Sequence, residues 1–271
     1  MTGTKMGKRQ NYEETWPNLD IHHLVLSTND FIVFIDSDID VDWETSDEYD
    51  KRENDDLEKR NTILNRAASL ECIPNAHQND QIRLNFKRMI AEGVARSLKH
   101  DYANADKILN EAETYIRNRN IETARFWQLT SSCICGMVSS IFVLALWCFR
   151  DGFIQSLGST AFFILIGAVS GSIGTTLSII LRMGSSNITS EAERKLHILE
   201  AISKNFGGCV SGLIISLLIK IGVVVPMFES INMTNTAMIV GAIIAGASER
   251  WAPSLISQFE KGTSEKKKGD A

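Results

Sequence analysis

The chain has 271 residues, of which 44% are hydrophobic, and it carries a formal net charge of −5 at neutral pH. These averages suit an ordinary soluble protein, but the order of residues excludes a wholly soluble one. The first 125 residues are charged and mostly polar, whereas long apolar runs dominate from Phe126 onward. We therefore predict a mainly α-helical protein with a cytoplasmic region followed by a membrane domain.

Residues 1–50 predict a small β structure. The stretch "IHHLVLSTNDFIVFID" contains two β-favouring runs, at 24–26 and 31–35, separated by the turn-forming residues "STND". An isolated hairpin is marginally stable in water, so we expect this one to pack against helices or a partner.

An acidic stretch follows, "DSDIDVDWETSDEYDKRENDDLE". Its alternating Asp36, Asp38 and Asp40 resemble the start of a calcium loop, but Val41 stands where that loop needs glycine and Asp47 where it needs glutamate. The pattern favours a solvated acidic linker with no metal site. Its carboxylates would repel nucleic acid, so we predict no direct nucleic-acid site in this segment.

Residues 51–125 predict helices at about 51–72 and 81–100, and a third that starts near 104 and continues without a break into the membrane. The stretch "MIAEGVARSLKHDYANADKILNEAETYIRNRN" has small residues in both helices and the turn "DYANA", and it resembles a tetratricopeptide-type helical hairpin. One such unit builds no superhelix. Its expected role is contact with a cytoplasmic protein partner or with sister subunits.

The membrane domain is predicted at 126–257. Four apolar runs, each long enough to cross a bilayer as a helix, lie at about 126–149, 157–181, 206–228 and 236–256. Between the second and third runs, "SEAERKLHILEAISKN" predicts an amphipathic loop helix that carries His197. Residues 258–271 form a lysine-rich tail.

The basic residues predict the orientation of these spans. The segment 107–125 before the first span has four Lys or Arg residues, the successive loops have one, four and none, and the tail has four. By the positive-inside rule this alternation places both termini in the cytoplasm. In a bacterium this predicts a multi-pass protein of the inner membrane.

Small residues recur on one face of two spans. Gly167, Gly171 and Gly174 are spaced by four and three residues, and Gly208 and Gly212 by four. Such faces let helix backbones approach closely within lipid. Ordinary bundle packing and an oligomeric pore lined by these faces both remain open as interpretations.

Three charges interrupt the apolar runs: Lys220, Glu249 and Arg250. Lys220 continues the step-of-four stripe of Gly212, which predicts that it lies on a packing face. Charges within a span usually face the bundle interior or water. Glu249 with Lys220 is the first candidate for an intramembrane pair, and Arg182 is the competing partner. The charges are interpreted either as a structural clasp or as a polar pathway or gate.

No motif predicts enzymatic chemistry or a cofactor. The sequence has no phosphate-binding loop of the P-loop type, no HExxH and no GxSxG, and its histidines lack metal-site spacing. We therefore expect a protein that is not an enzyme and has neither a cofactor nor a metal site.

A helical cytoplasmic region that leads directly into a membrane bundle, with "GAVSGSIGTTLSIILR" and "GAIIAGASERWAPSL" as local anchors, resembles the transmembrane effectors of bacterial antiphage systems, above all those encoded beside a retron reverse transcriptase. The resemblance is architectural and transfers no functional residue. It implies a toxin that a reverse transcriptase with its RNA-linked DNA holds inactive, and that damages the inner membrane when released on infection. A homo-oligomer in contact with membrane lipid is expected. The alternatives are a non-toxic scaffold that anchors a partner and a small channel or transporter subunit.

Overall fold

A computed structural model describes residues 12–52, 56–183, 193–222 and 234–248. Internal contacts divide the chain into two units, Met1–Glu122 and Thr123–Ala271. The described residues are mainly helical, and a small sheet lies in the first unit.

Within residues 12–52 the first unit has a three-stranded antiparallel sheet in the order β1-β2-β3. The strands are β1, His23–Ser27; β2, Phe31–Ile35; and β3, Val41–Thr45. Every residue of β2 is buried, because the strand has neighbours on both edges and packing on both faces. The two predicted strands are confirmed.

The third strand lies in the segment that was predicted to be a solvated linker, and that prediction was wrong. Val41, Trp43 and Thr45 are buried or half-buried and alternate with the exposed Asp42 and Glu44. Alternation with a period of two is the signature of a half-buried strand. The acidic residues hid this strand in the sequence, because carboxylates are as common at the exposed positions of a strand as in a solvated linker.

The aspartates that resemble a calcium loop form the turn between β2 and β3. The Asp36 carboxylate accepts hydrogen bonds from the backbone N–H groups of Asp38 at 3.0 Å and Asp40 at 2.8 Å. Ile39 completes the turn with a φ of 64°. Side-chain capping of this kind is the usual function of aspartate in turns. Among the described residues no cluster of His, Cys, Asp and Glu is placed to hold a metal ion.

Five helices begin in the described part of the first unit: α1, Tyr12–Thr15; α2, Asp47–Asp50; α3, Leu57–Glu71; α4, Asp80–Leu98; and α5, Tyr102–Cys148. Helices α4 and α5 form the helical hairpin. Their antiparallel arrangement follows from two contacts: Gly93 lies against Leu109, and Gln78, just before α4, donates from Nε2 to Asn120 Oδ1 at 2.9 Å. A close-packed core joins this hairpin to the sheet and to α3.

A buried lysine connects three elements of the first unit. Lys87 of α4 is 3% exposed, and its ammonium lies 2.8 Å from Glu71 of α3 and 2.9 Å from Asp40 of the β2–β3 turn. Burial by itself would lower the pKa of Lys87, but the hydrogen bonds and charges of Glu71 and Asp40 outweigh it and raise the pKa. Glu71 also accepts from the backbone N–H of Val41 at 3.1 Å.

Helix α5 is unbroken over 47 residues, which confirms the predicted continuation of the third helix into the first apolar run. The second unit continues with α6, Arg150–Leu157; α7, Ser159–Leu181; α8, Arg194–Lys220; and α9, Thr234–Ala247. Among the described residues three helices, α5, α7 and α8, are long and apolar enough to cross a membrane. Helix α9 is apolar and has 14 residues.

The structure corrects the third predicted span, 206–228. One helix, α8, contains residues 194–205 of the predicted amphipathic loop helix and continues into the apolar run, and it ends at Lys220. Residues 190–192 of the predicted loop helix lie outside the described residues. Gly222, with a φ of 74°, takes the left-handed conformation that ends helices. Residues 223–228, and residues 249–256 of the fourth predicted span, lie outside the described residues.

Candidate functional site

Helices α7 and α8 touch through their backbones. A β-carbon on Gly171 would overlap the carbonyl oxygen of Gly208, and one on Gly212 would lie 2.7 Å from the carbonyl oxygen of Gly167. These four glycines are among the five that the sequence assigned to packing faces. Close approach of this kind increases van der Waals contact in lipid, where apolar area alone provides little driving force.

The fifth of these glycines, Gly174, lies against α9. Its β-carbon would overlap the carbonyl oxygen of Ile243, and a β-carbon on Gly246 would overlap the carbonyl oxygen of Gly171. Helix α7 therefore packs tightly against α8 and α9, with glycines on each side of the contact.

A buried polar cluster joins α5, α7 and α8. Its centre is Asn205 of α8, whose Nδ2 donates to Ser132 Oγ of α5 at 2.8 Å and to the carbonyl oxygen of Ala201 at 2.9 Å. Its Oδ1 accepts from Ser172 at 3.1 Å and from Thr176 at 2.9 Å, both on α7. We call Ser132, Ser172, Thr176 and Asn205 the asparagine cluster.

Every hydrogen-bonding position of the Asn205 amide is filled, two as donor and two as acceptor. Asn205 is 4% exposed, and the three hydroxyl-bearing members are also buried. A buried amide is costly unless it is hydrogen-bonded, so this geometry fixes the three helices relative to one another.

Helix α5 approaches α7 closely at the same level. Thr176 Oγ1 lies 3.2 Å from the carbonyl oxygen of Ser132 and would be 2.7 Å from a β-carbon on Gly136. Further along, Ser139 Oγ donates to Ser172 Oγ at 3.1 Å.

The sequence analysis did not identify the asparagine cluster. The three segments that meet here lie far apart in the chain, and Ser132 and Asn205 are separated by 73 positions. The available signal was a set of hydroxyl-bearing residues inside apolar runs, "LTSS" and "GSIGTT", together with an asparagine at the start of a third.

His197 lies on α8 two turns before Asn205. It is 2% exposed, and neither ring nitrogen has a hydrogen-bond partner among the described residues. Its ring centroid is 6.3 Å from that of Trp127 on α5, and the guanidinium carbon of Arg194 is 5.9 Å from the Trp127 ring. The sequence predicted an amphipathic loop helix at this position, and His197 lies on the packed face of that helix.

Lys220 does not lie on the packing face that its spacing predicted. It is the last residue of α8 and is exposed, whereas Gly208, Gly212 and Ser216 are buried. Each step of four residues overshoots one helical turn, so three steps from Gly208 rotate Lys220 by roughly 120°. Positions at steps of four from Gly208 therefore turn away from the packed face, and position 220 lies outside it.

Glu249 and Arg250 lie outside the described residues, and the proposed pair of Glu249 with Lys220 stays a prediction. The competing cation, Arg182, lies at the end of α7. Its guanidinium donates to the carbonyl oxygen of Ala247, the last residue of α9, at 3.4 Å. This contact places Arg182 at the end of α9 that leads toward Glu249 in the chain.

No known protein family, no curated protein and no solved structure matches this chain.

Proposed function

We propose that this protein is a multi-pass inner-membrane effector of an antiviral defence system, a toxin that perturbs the membrane when a cytoplasmic partner releases it. The observation that carries the proposal is the continuity of α5, which begins in a soluble helical hairpin and ends among apolar helices. The proposal assigns no enzymatic activity.

The membrane assignment is supported by the apolar surface of the second unit. Large apolar side chains of α5 stay exposed in the folded chain, and soluble proteins rarely expose so extensive an apolar surface to water. The exposed α5 residues are Phe126, Ile134, Met137, Val138, Ile141, Phe142, Leu144 and Trp147. Four spans with both termini in the cytoplasm agree with the distribution of Lys and Arg.

The proposed coupling runs along α5. Its first turns belong to the soluble core, where Ala105, Leu109 and Ile116 are fully buried. Beyond Thr123 the same helix is tied to α8 by the bond between Ser132 and Asn205. A partner that binds the hairpin would shift α5, and that shift would strain the hydrogen bond between Ser132 and Asn205 in the asparagine cluster. Two packed arrangements of such a bundle would be the closed and released states.

A second candidate is a non-toxic scaffold that anchors a partner at the membrane. It is favoured by the saturated hydrogen bonding of Asn205, because a fully satisfied cluster also suits a bundle that never moves. A small channel or transporter subunit is the third candidate, and ion-dependent uptake would identify it.

The test is membrane potential in bacteria that express the whole chain without any partner, read with a potential-sensitive dye. If the partner is the restraint, the chain alone should depolarise the cells and arrest growth within minutes of reaching the membrane. Asn205→Leu removes the centre of the asparagine cluster and should change the rate of depolarisation. Ser140→Ala is the matched control, because the Ser140 hydroxyl bonds to Gly136 of its own helix.

All variants are compared at equal membrane levels. Normal potential and growth with the native chain would reject the toxin and favour the scaffold. Depolarisation that is identical in the native chain, Asn205→Leu and Ser140→Ala would keep the toxin but remove the asparagine cluster from its mechanism.

A further inference from the structure

Helix α8 has two different faces. Its buried residues, His197, Ala201, Asn205, Gly208, Gly212, Ile215, Ser216 and Ile219, pack inside the unit. The exposed residues on the other side include a continuous row of mostly large apolar side chains. We call this row the α8 stripe: Leu196, Leu199, Ser203, Phe206, Val210, Leu213 and Leu217.

The α8 stripe follows a heptad. Successive members are separated by three or four residues in strict alternation, so Leu196, Ser203, Val210 and Leu217 occupy one heptad position and Leu199, Phe206 and Leu213 the other. A seam with this period faces a partner helix along its whole length when two helices wrap around each other.

Lipid can cover only part of the stripe. The first eleven residues of α8 contain Arg194, Lys195, Glu200 and Lys204, and they extend over about 15 Å. A helical segment so rich in charge stays outside the hydrocarbon. Leu196 and Leu199, 56% and 58% exposed, therefore belong to the stripe but lie beyond the reach of acyl chains.

The charges beside the stripe match a second copy of the same helix. All copies of a membrane protein share one orientation, so their α8 helices are parallel. In a parallel pair, the residue just before Leu196 on one helix lies beside the residue just after Leu199 on the other helix. Here those residues are Lys195 and Glu200, which have opposite charges and are both exposed. Glu200 also pairs with Lys204 of its own helix at 2.8 Å, and its carboxylate stays exposed enough to accept a second cation.

Gly207 is a further sign of a missing neighbour. It lies beside Phe206 on the exposed face, and a β-carbon there would have nothing within 4 Å. Glycine within a helix is less favourable than alanine, and none of the described residues lies close enough to Gly207 to require it. A second helix at close range would.

We propose that the α8 stripe is a homo-oligomeric interface, in which α8 helices of neighbouring copies wrap in parallel and Lys195 of each copy pairs with Glu200 of the next. This inference rests on the proposed membrane placement and gives the expected homo-oligomer a defined contact. The seam ends at Leu217, because the next heptad position is Lys220, where two ammonium groups would repel each other.

The test is disulfide cross-linking of the full chain in native membranes, after replacement of its five cysteines by alanine. Leu213→Cys lies on the stripe, and Ile141→Cys, 65% exposed on α5, is the matched control for random collision in lipid. The Leu213→Cys chain should form dimers and the Ile141→Cys chain should not. Equal cross-linking at the two positions, or none at Leu213→Cys, would overturn the proposal and leave lipid or another protein on the stripe.

Charge exchange tests the register. In the Leu213→Cys background, Lys195→Glu places like charges at two symmetric contacts and should weaken dimer formation about fivefold. Addition of Glu200→Lys should restore it. Gly207→Leu should also weaken it without unfolding the monomer, because the position is open in the single chain. Failure of the double charge exchange to restore dimers would exclude the parallel pairing.

The outcome is separable from that of the proposed function. Dimers without depolarisation would keep the interface and reject the toxin, whereas depolarisation without dimers would reject the interface alone.

Discussion

A β-carbon on Gly171 of α7 would lie well inside van der Waals contact of the carbonyl oxygen of Gly208 on α8. Backbone cannot yield as a flexible side chain does, so Gly171→Ala must push the two helices apart. We expect a loss of about 1–3 kcal/mol in the stability of the second unit, measured by unfolding of the purified protein in mixed detergent. Gly152→Ala, where the added carbon meets nothing within 4 Å, should leave stability unchanged or slightly higher. Equal stability of the two variants would contradict the close contact.

Asn205→Leu keeps the branch at Cγ but removes every hydrogen bond of the side chain at the centre of the asparagine cluster. Interhelical hydrogen bonds in membranes contribute about 0.6 kcal/mol each, so the total loss should be about 2 kcal/mol. Thr176→Val removes one member at its edge and should cost less than half as much. The measurement is again unfolding in mixed detergent, and a larger effect for Thr176→Val would show that the cluster has a different centre.

Lys87→Met should destabilise the first unit by about 2 kcal/mol, because it leaves the carboxylates of Glu71 and Asp40 without their shared partner. Hydrogen exchange of the backbone amides of β3 and α4 in the full chain measures the loss. Arg88→Met, at the exposed neighbouring position, is the control and should have little effect.

The stability difference between the native chain and Lys87→Met should depend on pH, because the pKa of Lys87 is raised in the folded protein. A group whose pKa is higher in the folded protein stabilises it below the unfolded pKa, and loses that effect as pH rises through the folded value. The difference in the free energy of unfolding between the native chain and Lys87→Met should therefore be constant from neutral pH to about pH 10 and decrease at higher pH. A difference that decreases between about pH 7 and pH 9 would contradict the assignment.

His197→Phe should increase the stability of the second unit. Both ring nitrogens are buried and find no partner in the part of the chain that the structure describes, and an unsatisfied buried polar group costs about 1–3 kcal/mol. Phenylalanine keeps an aromatic ring beside Trp127. A raised unfolding midpoint is the expected result. A large loss of stability would show that a nitrogen of His197 binds something in the membrane-embedded protein.

The sequence by itself determined the division into a charged, polar part and an apolar part whose helices are long enough to cross a membrane. It also determined the first two strands, the continuity of α5 and the glycine spacing of α7 and α8. These features depend on local periodicity and residue type, which a single segment displays whatever its neighbours. Buried β2 is one example, because all five residues at 31–35 are β-branched or aromatic, and the run is too short for a typical helix and follows turn-forming residues.

Only the tertiary structure decided which polar groups meet. Asn205 finds its partners on two other helices, and Lys87 finds Asp40 at a distance of 47 positions in the chain. Spacing within one helix also misjudged Lys220, since a step of four drifts around the helix and the packed face is set by the neighbouring helices. The partners of a polar side chain depend on how separate segments pack, and periodicity within one segment contains no information about that.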